Sequence, residues 1–199
     1  KIKTHDLSGH FIPANCATFH GDMAISTLFG HAKGAFTGAA EPREGLLKSA
    51  DKGVLFLDEV AELSLAIQAM LLKALEEKTF APLGSDSSEV SNFQLIAGTN
   101  VDLSRAIKEG KFRRDLLERI NVWEFQLPGL CDRKEDIDPN IDHELEELSK
   151  KRKKPVQINK QARQLFLEFA KSSEAKWTAN FRDLNKAMVR MATMCDGRI

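Results

Sequence analysis

The feature that most constrains the fold is a set of short, wholly apolar runs that alternate with helical patterns along the first two thirds of the chain. Such runs are typical of strands buried on both faces, as in a parallel sheet covered by helices. We therefore predict strands in four places: Phe11–Ala14, Val54–Leu57, Phe93–Gly98 and Val122–Leu127.

Apolar residues with helical spacing lie between these runs, at 65–75 and 103–107, and this alternation indicates an α/β fold. After Pro128 the pattern is helical only. We predict one helix from the Asp138-Pro139 pair to Leu148, one around residues 162–169, and one that begins at a capping box of Asn180 and Asp183. The predicted domains are an α/β core over residues 1–137 and a small all-helical subdomain over residues 138–199.

Composition limits the possible functions. The 199 residues include 29 basic and 29 acidic side chains, so the formal net charge is zero, whereas nucleic-acid-binding domains usually carry a basic excess. We interpret the basic run 150–154 as a solvated link, because it is short and its surroundings are acidic. Three widely spaced cysteines fit neither a disulfide framework nor a zinc site, and there is no apolar run long enough to span a membrane. We expect a soluble, cytoplasmic domain.

Two carboxylates follow the second apolar run directly, in the order Asp58-Glu59. Ligands of open parallel sheets bind beyond the carboxyl ends of the strands. One acid there can hold Mg²⁺ through its water shell and the other can orient an attacking water, which suits a nucleoside triphosphatase. The equally weighted alternative is that both acids merely favour the positive end of the next helix.

The second unusual segment is Gly34-Ala35-Phe36-Thr37-Gly38-Ala39, in which glycines flank an aromatic residue. Glycine lets the backbone bend sharply, so Phe36 can be presented to another surface. The alternative is an ordinary turn whose Phe36 folds back onto the core.

Together with Leu28-Phe29-Gly30-His31 and Leu55–Glu59, this segment resembles the central AAA+ ATPase domain of bacterial sigma-54-dependent transcription activators, also called enhancer-binding proteins. The resemblance covers essentially the whole chain. Three further strings, at 15–22, 76–80 and 93–99, narrow it to one member of that family. The implied fold is a parallel-sheet core with helices on both faces and a small helical lid.

The resemblance implies an ATP site with Mg²⁺. Asp58 would hold the metal, Glu59 would activate the attacking water, and Asn15 would restrain that glutamate until nucleotide and target are sensed. An amide can bond a carboxylate without changing its charge, so this switch is reversible. Thr99 and Asn100 would sense the γ-phosphate.

The resemblance also implies arginine fingers at Arg113 and Arg119, and a lid arginine at Arg182 that contacts nucleotide. Guanidinium groups stabilise the charge on a transferring phosphoryl group. Residues taken alone favour surface pairing instead, because Arg114–Glu118 and Asp115–Arg119 have i,i+4 spacing. Fingers act on a neighbouring subunit's nucleotide, so the family reading predicts a ring of identical chains, a hexamer, and leaves Arg114 on the surface.

The implied partner is the sigma-54 RNA polymerase holoenzyme. The loop Gly34–Ala39 would touch sigma-54 through Phe36 and Thr37, and the segment 83–92 would be a second surface loop. ATP hydrolysis would then remodel the holoenzyme so that promoter DNA opens, with DNA bound only through a separate domain. The alternatives are a non-hydrolysing module that presents Phe36, and another AAA+ remodelling ATPase.

Two departures from the family pattern stand out. The lid turn reads Trp177-Thr178-Ala179-Asn180, without the usual Pro and Gly. The phosphate-cradling pattern G-x-x-x-x-G-K-[ST] occurs nowhere in the 199 residues, and its family position is just before Lys1. We therefore expect this chain to behave as a core that lacks its phosphate loop and to bind ATP weakly or not at all.

Overall fold

The structure is a computed structural model that describes residues 8–195 and residue 199. The chain divides into two compact units, the first ending at Glu124 and the second beginning at Phe125. We retain the boundary after residue 137 as a prediction for the functional division into core and lid.

The strands all lie in the first unit, as far as the described ranges extend. They are β1 (Phe11–Asn15), β2 (Gly30–His31), β3 (Arg43–Glu44), β4 (Val54–Asp58), β5 (Thr79–Phe80), β6 (Glu89–Val90) and β7 (Gln94–Ala97). A parallel sheet has the order β1-β4-β7, and the other strands form two short antiparallel pairs, β2-β3 and β5-β6. Three of the four strands predicted from apolar runs are thereby confirmed.

The first unit also contains α1 (Gly21–Phe29), α2 (Leu46–Ser49), α3 (Leu65–Glu77), α4 (Leu103–Lys108) and α5 (Arg114–Ile120). The second unit contains α6 (Ile137–Arg152), α7 (Lys160–Lys171) and α8 (Phe181–Met194). The α/β fold class and the change to helices alone are confirmed. Among residues 8–195 and residue 199, none of the helices has the combined length and hydropathy that crossing a bilayer requires.

The core of the first unit lies against one face of the parallel sheet. Side chains alternate between the two faces of a strand, and Leu55 and Leu57 of β4 are fully buried on the core side. On the opposite side Phe11 stacks on Phe56, with 6.3 Å between ring centroids. Phe11 and Ile96 are 60% and 50% exposed there, so the described residues cover that side only in part.

The fourth predicted strand, Val122–Leu127, is wrong: the structure has irregular backbone there. Its apolar side chains are at least 70% exposed, namely Val122, Trp123, Phe125 and Leu127. A strand needs a neighbour that pairs with its backbone groups, and no strand of the described residues lies beside this segment. The apolar pattern alone could not reveal that.

Helix α6 begins earlier than predicted. Its N-cap is Asp136, and Asp138 and Pro139 lie inside the first turn. Proline is tolerated there because the first N–H groups of a helix have no intrahelical acceptor. The buried Ile137, Ile141, Leu145 and Leu148 recur at helical spacing and pack with Leu184 and Met188 of α8 in the core of the second unit.

The capping box predicted for α8 is formed only in part. Asn180 is the N-cap, but its side chain makes no cap hydrogen bond and instead accepts from the backbone N–H of Leu130, at 2.7 Å. Asp183 does reach back, accepting from the N–H of Ala179 at 2.8 Å. The lid turn forms without Pro or Gly because Trp177 and Asn180 themselves adopt positive φ angles of 45° and 52°.

The basic run 150–154 lies at the end of α6. Lys150 pairs with Glu146 and Glu147, and Arg152 donates to the carbonyl of Ala192 near the end of α8. Residues 150–152 form the last turn of α6, so the predicted link is confined to Lys153 and Lys154.

Candidate functional site

Polar side chains collect at the carboxyl ends of the three parallel strands. The parallel register places Asn15 opposite Asp58, and β7 ends at Ala97, from which Gly98 leads to Thr99 and Asn100. These are the residues predicted to form the nucleotide site. The sheet therefore brings five predicted site residues to a single edge: Asn15, Asp58, Glu59, Thr99 and Asn100.

The carboxylate of Asp58 is fixed at this edge by its surroundings. Its Oδ1 accepts from the backbone N–H of Glu59 at 3.0 Å. A Cβ atom at Gly98 would lie 3.0 Å from the same oxygen. The glycine after β7 therefore leaves room for Asp58, a role that the Ile96-Ala97-Gly98 string did not reveal.

Glu59 adopts a left-handed backbone conformation, with φ 53° and ψ 47°. This conformation costs a residue other than glycine about 1–2 kcal/mol, and strain of this kind clusters at functional sites. The bond from the N–H of Val60 to the carbonyl of Gly98, at 3.0 Å, holds the chain directly after it. The backbone therefore turns sharply where the predicted water-activating residue stands.

The side chain that contacts Glu59 belongs to Asn100. Its Nδ2 donates to Glu59 Oε1 at 3.0 Å, and its backbone N–H donates to Oε2 at 3.4 Å. The Asn15 side chain accepts instead from the N–H of Ala17, at 2.9 Å. The restraint assigned to Asn15 stays a prediction, and in this structure an amide–carboxylate contact of the expected chemistry is made by Asn100.

The remaining polar residue of the edge, Thr99, accepts through Oγ1 from the N–H of Val101, at 3.1 Å. This bond orders the turn that carries Asn100 away from β7. The sequence predicted that Thr99 and Asn100 lie at this edge. It did not reveal that Asn100 contacts Glu59 whereas Thr99 bonds the backbone of Val101.

Cys16 lies buried directly after Asn15. Burial, together with the smaller effect of the negative charges of Asp58 and Glu59, raises the pKa of its thiol to about 12. The neutral thiol is an apolar support beneath the two carboxylates, and nothing in the cysteine spacing indicated this position.

Arg113 is the N-cap of α5 and pairs with an acid in the first turn of that helix. Its guanidinium makes two hydrogen bonds to Asp115, at 3.0 and 2.6 Å, and this contact raises the pKa of Arg113 and lowers that of Asp115. The backbone N–H of Arg113 donates to Oε1 of Gln68, at 2.8 Å. Gln68 is fully buried in α3 and also donates to the carbonyls of Leu63 and Lys111, so it fixes the start of α5.

The second predicted finger, Arg119, donates to the carbonyl of Leu75 at 3.0 Å, near the end of α3. The i,i+4 pairing of Asp115 with Arg119 is therefore not formed, because Asp115 pairs with Arg113. Arg182 lies exposed in the first turn of α8, in the second unit.

The loop Gly34–Ala39 forms a closed turn. The N–H of Gly34 donates to the carbonyl of Ala39 at 2.8 Å, and the N–H of Ala39 donates back to Phe36 at 3.0 Å. Gly34 and Gly38 have φ angles of 80° and 102°, which other residues rarely adopt. Phe36 is half-buried and packs on His31, so the ring is folded back in this structure.

The chain matches two family models: the sigma-54 interaction domain over residues 3–126 and the AAA+ ATPase lid domain over residues 131–199. The chain therefore belongs to the family of AAA+ sigma-54 interaction domains found in sigma-54-dependent transcription activators.

Particular relatives agree with this family. The chain is 57% identical over 200 residues to the transcriptional regulatory protein RtcR of Escherichia coli (strain K12), which is the member indicated by the strings at 15–22, 76–80 and 93–99. That alignment covers 100% of this chain and 38% of RtcR. The regulatory protein AtoC of the same organism is 39% identical over 192 residues, covering 96% of this chain and 40% of AtoC. The chain thus spans about two fifths of the length of these relatives.

Solved structures show the same fold. A crystal structure of NtrX from Brucella abortus superposes with a TM-score of 0.81 at 28% identity, covering 94% of this chain and 41% of NtrX. NtrX in complex with ATP gives a TM-score of 0.78 at 28% identity, over 95% of this chain and 41% of that one.

The donor set at the sheet edge fits Mg²⁺ bound together with a nucleotide. No group of three or more His, Cys, Asp or Glu side chains among the described residues is arranged to hold a metal ion alone. Mg²⁺ needs only one or two carboxylates when water and phosphate oxygens complete its octahedral shell. Asp58, fixed at the carboxyl end of β4, has the chemistry for that role.

Proposed function

We propose that this chain is the ATPase motor of a sigma-54-dependent activator, in which hydrolysis at the sheet edge drives the Phe36 loop against sigma-54. The observation that carries the proposal is Glu59, a carboxylate held in a strained backbone conformation beside Asp58 and bonded by Asn100.

In the proposed reaction ATP is the substrate, and Mg²⁺ would supply the counter-charge for its phosphates. Asp58 would hold the metal through water. Glu59 orients the attacking water and accepts its proton. General-base catalysis of this kind raises a reaction rate by about 10²–10⁴-fold. Asn100 binds the carboxylate of Glu59 in the resting state, so release of this contact frees the base. Thr99 and Asn15 flank the same edge.

The fingers act on a neighbouring subunit in this proposal. Arg113 must exchange Asp115 for a phosphate group, and Arg119 must leave the carbonyl of Leu75. Both exchanges require a second copy of the chain beside α5, which implies a ring, proposed as a hexamer. Arg182 reports nucleotide from the lid.

Phe36 and Thr37 contact sigma-54, and the ring remodels the RNA polymerase holoenzyme so that promoter DNA opens. A neutral domain has no electrostatic advantage for holding DNA, so DNA is bound through a different domain. A protein that acts on RNA polymerase works in the bacterial cytoplasm.

The test uses an extended protein, defined as this chain preceded by the phosphate-binding segment of a family member. Glu59→Gln keeps the shape of the side chain but removes the base. ATP turnover should fall about 100-fold or more, while Glu62→Gln, the same change three residues along, should leave turnover within about twofold. Equal turnover of Glu59→Gln and the unchanged protein would overturn the proposal. An extended protein without any turnover that still binds sigma-54 would favour a non-hydrolysing module.

The 199-residue chain itself should bind ATP weakly or not at all, because it lacks the phosphate-cradling motif. A calorimetric titration with a non-hydrolysable ATP analogue checks this, and micromolar affinity would contradict it.

A further inference from the structure

His31 is held rigidly by hydrogen bonds at both ring nitrogens. Nε2 lies 3.0 Å from the carbonyl oxygen of Glu41, and Nδ1 lies 2.7 Å from Oγ of Ser26. A carbonyl can only accept, so Nε2 carries a hydrogen. In the neutral ring Nδ1 then accepts from Ser26, whose hydroxyl is buried. The two bonds together fix the orientation of the ring.

The ring of Phe36 packs on this fixed imidazole. The ring centroids lie 5.0 Å apart with an interplanar angle of 63°, an edge-to-face arrangement that aromatic pairs favour. Phe36 is half-buried, whereas Thr37 and Gly38 beside it are exposed. The ring of His31 thus forms a packing surface for Phe36, the one large apolar side chain of the loop.

The base of the loop is fixed separately. The N–H of Ala32 donates to the carbonyl of Leu83 at 2.9 Å, and the N–H of Leu83 donates to Gly30 at 3.0 Å. Gly84 lies so close to Ala35 that a Cβ there would come within 2.7 Å of the Ala35 Cβ. Leu83 and Gly84 therefore anchor the base of the loop, and the contact with His31 holds the Phe36 ring separately.

We propose that His31 is a positioning residue that holds Phe36 in a retracted place and so sets how much free Phe36 is available to sigma-54. This inference rests on the proposed function. Phe36 cannot pack on sigma-54 and on His31 at once, so binding of the partner must replace the aromatic contact. Removing the imidazole removes that competition.

The first test measures the ring directly. 4-Fluorophenylalanine is incorporated at position 36 of the 199-residue chain, and its fluorine resonance is compared in the unchanged chain, His31→Gln and His20→Gln. Glutamine preserves polar partners for Ser26 and Glu41 but has no aromatic ring. His20 is an exposed N-cap whose side chain makes no cap hydrogen bond, so it is a matched control.

We expect the resonance to move toward that of the free amino acid in His31→Gln and to stay unchanged in His20→Gln. His31→Phe, which restores a ring, should return it toward the original position. A resonance in His31→Gln identical to that of the unchanged chain would overturn the proposal. Circular dichroism of each variant verifies that the fold is retained.

The second test measures binding of purified sigma-54 to the same chains without nucleotide. Because sigma-54 no longer has to displace an aromatic contact of this kind, the affinity of His31→Gln for sigma-54 should rise by roughly 2- to 10-fold. Phe36→Ala should weaken binding. If Phe36→Ala weakens binding while His31→Gln leaves it unchanged, the role of His31 is overturned and the proposed function stands. If Phe36→Ala has no effect, the proposed sigma-54 contact itself fails, and the role of His31 fails with it.

Discussion

The carboxyl edge of the parallel sheet and the Phe36 loop each hold one side chain of proposed function against one neighbour, but by different physical means. Glu59 is bonded by the amide of Asn100 and stands on a strained backbone, whereas Phe36 packs on an imidazole at the tip of a glycine-rich turn. A polar contact is sensitive to charge brought nearby, and an aromatic contact is sensitive to a competing apolar surface. The first suits a response to nucleotide and the second a response to a protein partner.

The largest effect should come from disturbing the base of the loop. Gly84→Ala places a methyl group against Ala35 and requires a φ near 71°. The backbone penalty and the overpacking together should lower the free energy of unfolding by about 2–4 kcal/mol. Urea denaturation of the 199-residue chain measures the change.

Gly110→Ala is the matched control, since Gly110 has a φ of 70° and nothing within 4 Å of its Cβ position. It should cost only about 1–2 kcal/mol, the backbone penalty alone. Equal losses in both variants would mean that segment 83–92 does not support the loop.

The second prediction concerns the sheet edge alone, where Cys16 should make the stability of the chain depend on pH. Burial raises the pKa of Cys16 from 9.0 to about 12, so between these values the unfolded chain loses a proton that the folded chain keeps. This contribution to stability is complete below pH 9 and is lost as the pH rises toward 12. At pH 10 the loss should be about 1 kcal/mol.

Denaturation of the unchanged chain and of Cys16→Ala at pH 7, 8, 9 and 10 isolates that contribution. The difference between the two chains should change with pH only above pH 9. Exposed Cys131 provides the control, because Cys131→Ala should leave the pH dependence intact. A difference between the unchanged chain and Cys16→Ala that is constant up to pH 10 would contradict the account of Cys16.

The smallest effect concerns the strain at Glu59. Glycine adopts its left-handed conformation freely and alanine does not. Glu59→Gly should therefore be more stable than Glu59→Ala by about 1 kcal/mol, and both should be inactive in the extended protein. Thermal unfolding of the two variants gives the comparison, and greater stability of Glu59→Ala would mean that the backbone there is not strained.

Local patterns predicted most of the fold. The apolar run before Asp58 determined β4, and helical spacing determined α3 and α4. What failed depended on distant partners: the segment Val122–Leu127 has strand-like residues but no pairing neighbour among the described residues. The start of α6 was missed because aspartates at 136 and 138 are both suitable caps.

The site could be located from sequence but its contacts could not. Asp58 and Glu59 were found because they follow a buried strand. The contact between Asn100 and Glu59 joins residues 41 positions apart, and only the parallel register of β4 and β7 brings them together. The bond between the side chain of Gln68, buried in α3, and the backbone N–H of Arg113 likewise joins residues that are far apart in the sequence, so the sequence did not reveal it.

If the sheet edge and the Phe36 loop act together, nucleotide bound at the first must move the second. The most direct measurement is the fluorine spectrum of 4-fluorophenylalanine at position 36 in the extended protein carrying Glu59→Gln, before and after Mg²⁺–ATP is added. The resonance should leave its position beside His31 when nucleotide binds. An unchanged resonance at saturating nucleotide would contradict the claim.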